Sequence, residues 1–170
     1  MDLRSYIRAV PDFPQEGILF RDITPLLGNP LAFGHTLDAL CAEAGQLDAA
    51  QIVGIEARGF VFGAAMADRL RLPFVPLRKP GKLPAARLSV DYSLEYGESR
   101  LDIHQDALSA GRRVYIVDDL LATGGTAAAA IRLVEMAGGD VVGLGFVIEL
   151  VDLNGRAKIN GYHAMSLLKY

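Results

Sequence analysis

The spacing of apolar residues changes along the chain, from a helical period to short continuous runs and back, roughly every 10 to 20 residues. Asn29 followed by Pro30 has the character of a helix cap with proline in the first turn, and apolar residues then recur at helical spacing, which predicts a helix over 30–46. Further short apolar runs alternate with helical patterns. They predict strands over residues 51–57, 73–77, 113–117 and 140–150 and helices over 60–70 and 127–137.

Strands that alternate with helices predict a parallel sheet, because parallel neighbours need a long crossover connection and that connection is usually a helix. The chain shows no internal repeat, no low-complexity tract and no linker rich in serine and proline. We therefore expect one α/β domain over residues 1–170, built on a parallel twisted sheet that is flanked by helices.

One segment, residues 79–105, departs from this alternation. Two stretches of alternating apolar and polar residues, 87–94 and 99–104, lie on either side of a short turn, which predicts an antiparallel hairpin. An excursion of this length from a parallel sheet is uncommon as a simple connection and often forms a lid over the site at the strand ends. We expect a flexible hairpin lid, with a plain connection as the alternative.

Composition narrows the class of protein. With 170 residues, 51% of them hydrophobic, the chain is too apolar for intrinsic disorder and long enough for a real core. Its single cysteine, Cys41, excludes an internal disulfide and favours a reducing compartment, so a cytoplasmic location is expected. The apolar stretches are shorter than the ~18 residues of a transmembrane helix, and the N-terminus lacks a signal-peptide pattern, so we expect neither membrane insertion nor export.

Charge and histidine placement exclude further classes. The 17 basic and 20 acidic residues give a net charge of −3, which argues against a domain that binds nucleic acid by neutralising phosphates and leaves small phosphates possible. The histidines, His35, His104 and His163, are dispersed with no metal-binding spacing. A zinc site or a nucleophilic triad therefore has no support.

The most informative stretch is residues 114–126, in which a hydrophobic strand is followed by two acids and a small-residue loop. Asp118 and Asp119 stand at the predicted carboxyl end of the strand, where ligands bind in open α/β sheets. The loop opens a helix, so unpaired backbone N–H groups and the positive helix end can hold a phosphate monoester. Two carboxylates next to a phosphate site can accept hydrogen bonds from ribose hydroxyls, so the stretch suits a ribose phosphate.

The loop itself has the composition of a phosphate-binding turn. Gly124 and Gly125 let the backbone approach phosphate oxygens closely, and the hydroxyls of Thr123 and Thr126 can fix orientation. The alternative is an ordinary strand-to-helix turn, which the preceding acid pair disfavours. The sequence contains no G-x-x-x-x-G-K-[ST], and its Gly-x-Gly at 143–145 lacks the third glycine of the dinucleotide fingerprint, so those phosphate motifs do not apply.

Residues 114–126 resemble the phosphoribosyl pyrophosphate motif of the type I phosphoribosyltransferases, and the chain resembles the adenine-specific members of that family over nearly its full length. The resemblance implies that family's Rossmann-like fold, with an N-terminal hood over residues 1–29 that recognises the base. Besides the motif, it is carried in order by residues 13–14 with 17–25, 54–60, 78–84 and 92–97.

The resemblance assigns binding roles. Arg78, Lys79 and Lys82 place three positive charges within five positions, which suits a leaving group with several negative charges. The alternative is an exposed charged loop without a binding role. Because part of the pyrophosphate shell can come from the neighbouring subunit in this dimeric family, a homodimer is expected. The implied pyrophosphate-binding residues are Arg58, Arg78, Lys79 and Lys82, and the phosphoribose-binding residues are Asp118, Asp119, Ala122, Thr123, Gly124, Gly125 and Thr126.

The remaining roles concern the base. Glu95 and Tyr96 lie at the hairpin tip, and the resemblance makes the glutamate the residue that handles the purine proton and the tyrosine a shield of the reacting centre. A solvated turn acid is the alternative for Glu95. The resemblance places Leu19, Phe20 and Arg21 against adenine, whereas Phe20 by itself could equally fill the core.

The implied activity is transfer of 5-phosphoribose from phosphoribosyl pyrophosphate to N9 of adenine, a purine-salvage reaction that gives AMP and pyrophosphate. The implied cofactor is Mg²⁺, held mainly by substrate oxygens and water rather than by a protein cage. The alternatives are the same reaction on a 6-oxopurine and a non-catalytic sensor of phosphoribosyl pyrophosphate that binds DNA. The sensor would need a DNA-binding module, and no basic helix or spare domain is visible.

Overall fold

The computed structural model describes residues 1–93 and 98–170. The chain forms two compact units, Met1–Ala39 and Leu40–Tyr170. The predicted hood lies in the first unit and the predicted lid hairpin in the second. The extent of the domain stays a prediction.

The first unit contains a short antiparallel strand pair that the apolar pattern did not indicate. The rings of Phe13 and Phe20 meet edge to face, with their centroids 5.1 Å apart. Asn29 Oδ1 accepts the backbone N–H groups of Leu31 and Ala32, which confirms the predicted cap of the long helix. The elements are a 3-10 helix (Leu3–Tyr6), β1 (Arg8–Pro11), β2 (Leu19–Asp22), α1 (Thr24–Leu27) and the first part of α2 (Pro30–Gln46).

The second unit is built on a five-stranded sheet in the order β4-β3-β7-β8-β9, and every neighbouring pair in it is parallel. A separate antiparallel hairpin, β5-β6, confirms the hairpin prediction. After α2, the elements in chain order are β3 (Gln51–Ile55), α3 (Gly59–Leu70), β4 (Phe74–Leu77), β5 (Arg87–Ser93), β6 (Glu98–His104), β7 (Arg112–Leu121), α4 (Gly125–Met136), β8 (Gly139–Glu149), two 3-10 helices (Val151–Leu153 and Gly155–Ile159) and β9 (Ala164–Lys169).

The sheet buries both faces, which explains its nearly continuous apolar strands. Helix α4 and the base of the β5-β6 hairpin share one core cluster with Val53, Val114 and Ile116. On the α3 side, a Cβ on Gly63 would lie 2.6 Å from the ring of Phe74, so only glycine lets the helix approach at this point. The sheet is therefore a rigid platform beneath its carboxyl-end loops.

The glycines at 143–145 have a packing role. Both lie inside β8, and a Cβ on Gly145 would lie 2.5 Å from the hydroxyl of Tyr115, whose fully buried ring also passes Gly143. This pair therefore makes room for a large core side chain, in agreement with the exclusion of a dinucleotide loop.

The carboxyl ends of two strands differ from the prediction. Strand β3 ends at Ile55 rather than at residue 57, so Glu56 and Ala57 belong to the turn before α3. Strand β7 continues to Leu121, where it pairs with Glu149 of β8, so Asp118 and Asp119 lie within the strand rather than after it. The pairing of β7 with β3, however, ends at Val117. The two acids thus lie just beyond the part of β7 that pairs with β3, whereas β8 still pairs with this part of β7.

None of the helices in the described parts of the chain combines the length and the apolar character needed to cross a membrane.

Candidate active site

A cavity of about 450 Å³ opens at the carboxyl end of the parallel sheet, a volume suited to one or two small-molecule substrates. It brings together most of the predicted phosphoribose and pyrophosphate residues from three separate turns. The lining residues are Glu56, Ala57, Arg58, Lys79, Tyr92, Ser99, the whole run 118–127, and Phe146.

One acid of the pair, Asp119, forms an ion pair with Arg58, which lies in the turn after the neighbouring strand β3. The Nε of Arg58 lies 2.7 Å from Oδ2 of Asp119, whose side chain is 8% exposed, and the Asp119 N–H donates to Oδ1 of Asp118. Burial raises the pKa of both carboxyls; the charge of Asp119 raises that of Asp118 further, whereas Arg58 opposes the rise at Asp119. Arg58 thus favours the charged form of Asp119, which can accept hydrogen bonds from ribose hydroxyls.

Gly59 explains how Arg58 reaches this position. Arg58 directly precedes α3, and a Cβ on Gly59 would lie 2.8 Å from the carbonyl oxygen of Val117 and 2.9 Å from Oδ1 of Asp118. Only glycine allows this approach of the helix start to β7. The Glu56–Ala57 peptide of the same turn is cis.

The phosphate loop, residues 122–126, forms one wall of the cavity. Gly124 has φ of +79°, and no side chain in the described part of the chain caps α4 at this end. The first N–H groups of a 12-residue helix therefore face the cavity without a side-chain acceptor, which is the arrangement that binds anions.

The loop is held by elements distant in sequence. A Cβ on Gly124 would overlap the carbonyl oxygen of Gly155, and a Cβ on Gly155 would overlap that of Ala122. On its other side, Gly125 packs against the backbone of Ser93 at the end of β5. Sequence reasoning missed Gly155 and Ser93, because their contribution is visible only when the backbones are packed together.

The basic loop after β4 is anchored by a carboxylate that sequence reasoning did not select. Glu56 Oε2 accepts the backbone N–H of Lys79 at 2.7 Å and the Nε of Arg78 at 3.0 Å. Burial raises the pKa of Glu56, but these two hydrogen bonds and the charges of Arg78 and Lys82 together outweigh it and hold the pKa below its usual value. Glu56 therefore orients the loop so that Lys79 lines the cavity.

Several predicted residues are not brought to this cavity by the described structure. The Arg78 guanidinium lies against Glu56 and 5.8 Å from the centre of the Phe60 ring, and the exposed Lys82 acts on Glu56 through its charge. Their pyrophosphate roles stay predictions. Glu95 and Tyr96 lie outside the described residues, and Leu19, Phe20 and Arg21 lie in β2 of the first unit, so these five roles are not tested.

The donor set fits a metal that arrives with its substrate. In residues 1–93 and 98–170, no three carboxylate, imidazole or thiolate groups converge to hold a metal ion. Asp119 is engaged by Arg58, and burial raises the pKa of both acids of the pair. Mg²⁺ retains several waters and is commonly bound through substrate phosphates, which such a site can accommodate.

Asp118→Asn is expected to stabilise the ligand-free protein at neutral pH. The pKa of Asp118 is higher in the folded protein than in the unfolded chain, so this carboxyl lowers the stability of the folded state once the pH is above the unfolded pKa. Removing the carboxyl should therefore raise Tm by about 3 °C at pH 7.5 and hardly change it at pH 4. Asparagine can still accept the Asp119 N–H. Thermal unfolding at both pH values measures this, and a lower Tm at pH 7.5 would contradict it.

The matched control is Asp91→Asn. Asp91 is exposed and its pKa is lowered, mainly by the hydrogen bond from Arg100. An acid with a depressed folded pKa contributes stability above its unfolded pKa and loses it as the pH falls, so this variant should show no gain in Tm at pH 7.5.

Comparison with known proteins agrees with this geometry. Residues 44–163 match the phosphoribosyl transferase domain family. The adenine phosphoribosyltransferase of Gloeobacter violaceus is 60% identical over 171 residues, which covers 100% of both chains. The chain belongs to the adenine phosphoribosyltransferase family.

Solved structures of this family share the fold. The adenine phosphoribosyltransferase of Thermoanaerobacter pseudethanolicus superposes with a TM-score of 0.96 at 50% identity. The match covers 99% of this chain and 98% of that chain. The adenine phosphoribosyltransferase of Saccharomyces cerevisiae, complexed with an imino-altritol bisphosphate and adenine, has a TM-score of 0.93 at 42% identity. The match covers 98% of this chain and 97% of the yeast chain. The family and the type I phosphoribosyltransferase fold predicted from the sequence blocks are confirmed.

Proposed function

We propose that the protein transfers 5-phosphoribose from phosphoribosyl pyrophosphate to N9 of adenine, giving AMP and pyrophosphate. The observation that carries this proposal is the convergence in one cavity of an uncapped glycine-rich helix start, a buried acid pair and two cations. These are groups suited to a phosphate monoester, ribose hydroxyls and pyrophosphate, respectively.

In the reaction, the bond from C1′ of ribose to the pyrophosphate oxygen breaks and the bond from C1′ to N9 forms, with inversion at C1′. The N9 proton leaves the purine, and the bond to pyrophosphate breaks ahead of bond formation. The enzyme must therefore stabilise the departing anion and hold the base within about 3–3.5 Å of C1′.

Each part of the cavity serves one portion of the donor. The N–H groups at 122–126 hold the 5′-phosphate, and Asp118 and Asp119 accept from the ribose hydroxyls. Arg58 and Lys79 bind the pyrophosphate from the cavity wall, and Arg78 and Lys82 of the basic loop are proposed to bind it as well. Exclusion of water from the cavity protects C1′ from hydrolysis, which would waste the donor as ribose 5-phosphate.

The roles at the base rest on the sequence blocks of the family. Glu95 handles the purine proton, Tyr96 shields the reacting centre, and Leu19, Phe20 and Arg21 bind adenine. Glu95 and Tyr96 lie between β5 and β6 in the sequence and outside the described residues, and Val90 and Leu101 anchor the two strands in the core. Only the outer part of the hairpin is therefore proposed to act as a lid.

When bound, Mg²⁺ would be held by oxygens of phosphoribosyl pyrophosphate and by water, and it would supply neutralisation of charge on the leaving pyrophosphate. Phosphoribosyltransferases of this type generally use Mg²⁺, and we extend that use to this protein. We also propose a homodimer and a cytoplasmic location, on the family resemblance and on the single cysteine, Cys41.

Adenine is favoured over 6-oxopurines because the relatives reported above are all named adenine phosphoribosyltransferases. A non-catalytic sensor that binds DNA would need a second module. The family match over residues 44–163 and the full-length match to an adenine phosphoribosyltransferase favour the enzyme over the sensor.

The test is an assay with phosphoribosyl pyrophosphate, Mg²⁺ and equimolar adenine, hypoxanthine, guanine and orotate, with products separated by chromatography. AMP as the main product is expected. IMP or GMP as the main product would overturn the base assignment while sparing the phosphoribose site. Tight donor binding without any product would instead support the sensor.

A further inference from the structure

The 3-10 helix Gly155–Ile159 places a lysine beside the phosphate loop. A Cβ on Gly125 would lie 3.9 Å from the Nζ of Lys158, so the ammonium group stands next to the first residue of α4. Lys158 is exposed, and the described structure shows no hydrogen bond or ion pair to it. The ammonium group is therefore close to the phosphate loop, although Lys158 does not itself line the cavity.

The cations that line the cavity come from the other side of β7. Arg58 and Lys79 follow β3 and β4, whereas Lys158 follows β8, and the sheet order places β3 and β8 on opposite sides of β7. Arg58 is moreover engaged with Asp119. A phosphate monoester carries a charge of about −1.5 to −2 at neutral pH, and the loop offers it only neutral donors.

An ion pair between the half-exposed Arg156 and the buried Glu149 holds the 3-10 helix in place. Arg156 donates to both carboxylate oxygens of Glu149, at 2.7 and 2.8 Å, and also to the carbonyl oxygen of Ala164. The hydrogen bond from Arg156 is the largest cause that lowers the pKa of Glu149, so the pair is charged at neutral pH. This anchor ties the segment that carries Lys158 to the last residue of β8 and the first residue of β9.

We propose that Lys158 is a binding residue for the 5′-phosphate of phosphoribosyl pyrophosphate and AMP, supplying the positive charge that the loop backbone lacks. The inference rests on the proposed function, since it assigns a ligand to the same cavity. The 5′-phosphate does not react, so its contact with Lys158 is equally strong in substrate and transition state. Its loss therefore raises KM for phosphoribosyl pyrophosphate and leaves kcat unchanged.

The experiment compares Lys158→Gln and Lys158→Arg with Arg132→Gln, a control that removes one positive charge from the exposed side of α4. Calorimetric titration measures the affinities for AMP, ribose 5-phosphate and pyrophosphate, and steady-state kinetics measure kcat and KM. For Lys158→Gln we expect about fivefold weaker binding of AMP and ribose 5-phosphate and an equal rise in KM. Pyrophosphate affinity, kcat and Tm should not change.

Lys158→Arg should restore the affinity for AMP to within about twofold of wild type, because a cation is again present. The inference is overturned if Lys158→Gln binds AMP as wild type does. It is also overturned if this variant loses pyrophosphate binding and Tm together with AMP binding, since that pattern indicates a structural role. Failure of the wild-type protein to form AMP would instead overturn the proposed function.

Discussion

Gly124→Ala is expected to raise KM for phosphoribosyl pyrophosphate at least about 100-fold, because displacement of a positioning element by about 1 Å has effects of that size. The added Cβ would overlap the carbonyl oxygen of Gly155, and neither backbone can move without disturbing the loop. The φ of +79° adds about 1–2 kcal/mol of strain for alanine. Steady-state kinetics and thermal unfolding measure the two effects.

Gly111→Ala separates the effect of backbone strain from the effect of the overlap with Gly155. Gly111 has φ of +71°, but a Cβ there would meet nothing within 4 Å. This variant carries the same backbone strain without the overlap, so Tm should fall by about 2–8 °C while KM and kcat stay within twofold of wild type. If Gly124→Ala behaved like Gly111→Ala in both assays, the packing of the loop on Gly155 would not matter for binding.

Arg58→Gln is expected to lower kcat/KM by about 10² to 10³, because it removes a cation from the proposed pyrophosphate shell and from the acid pair together. It also has a pH signature. Burial already raises the pKa of Asp119, and Arg58 is the group that opposes this rise. Without Arg58 the pKa rises further, so the loss of activity on the acid side begins at a higher pH.

The measurement is a pH profile of kcat/KM for wild type, Arg58→Gln and the charge control Arg132→Gln. Arg132 is exposed on α4 and does not line the cavity, so this control should keep the wild-type profile. An acid limb of Arg58→Gln that coincides with that of wild type would show that the contact of Arg58 with Asp119, 2.7 Å long, does not control the titration.

Features that depend on neighbours in the chain could be predicted from the sequence. Strand, acid pair, loop and helix follow one another between residues 114 and 136, so the apolar pattern and the position of the glycines were sufficient to propose a phosphate site. The Asn29 cap and the bounds of α2 were correct for the same reason. The short strands β1, β2 and β9 were missed, because runs of four to six residues with mixed burial show no clear period.

The tertiary structure decided which distant groups meet. The sequence order of β3 and β7 does not show that the strands are neighbours, yet only their pairing brings Arg58 to Asp119. The return of the chain after β8 likewise places Gly155 under the loop and Lys158 beside it. The sequence by itself thus determined the α/β class, the family and the phosphate motif, whereas the partners of that motif depended on strand order and backbone packing, which act between residues far apart in the chain.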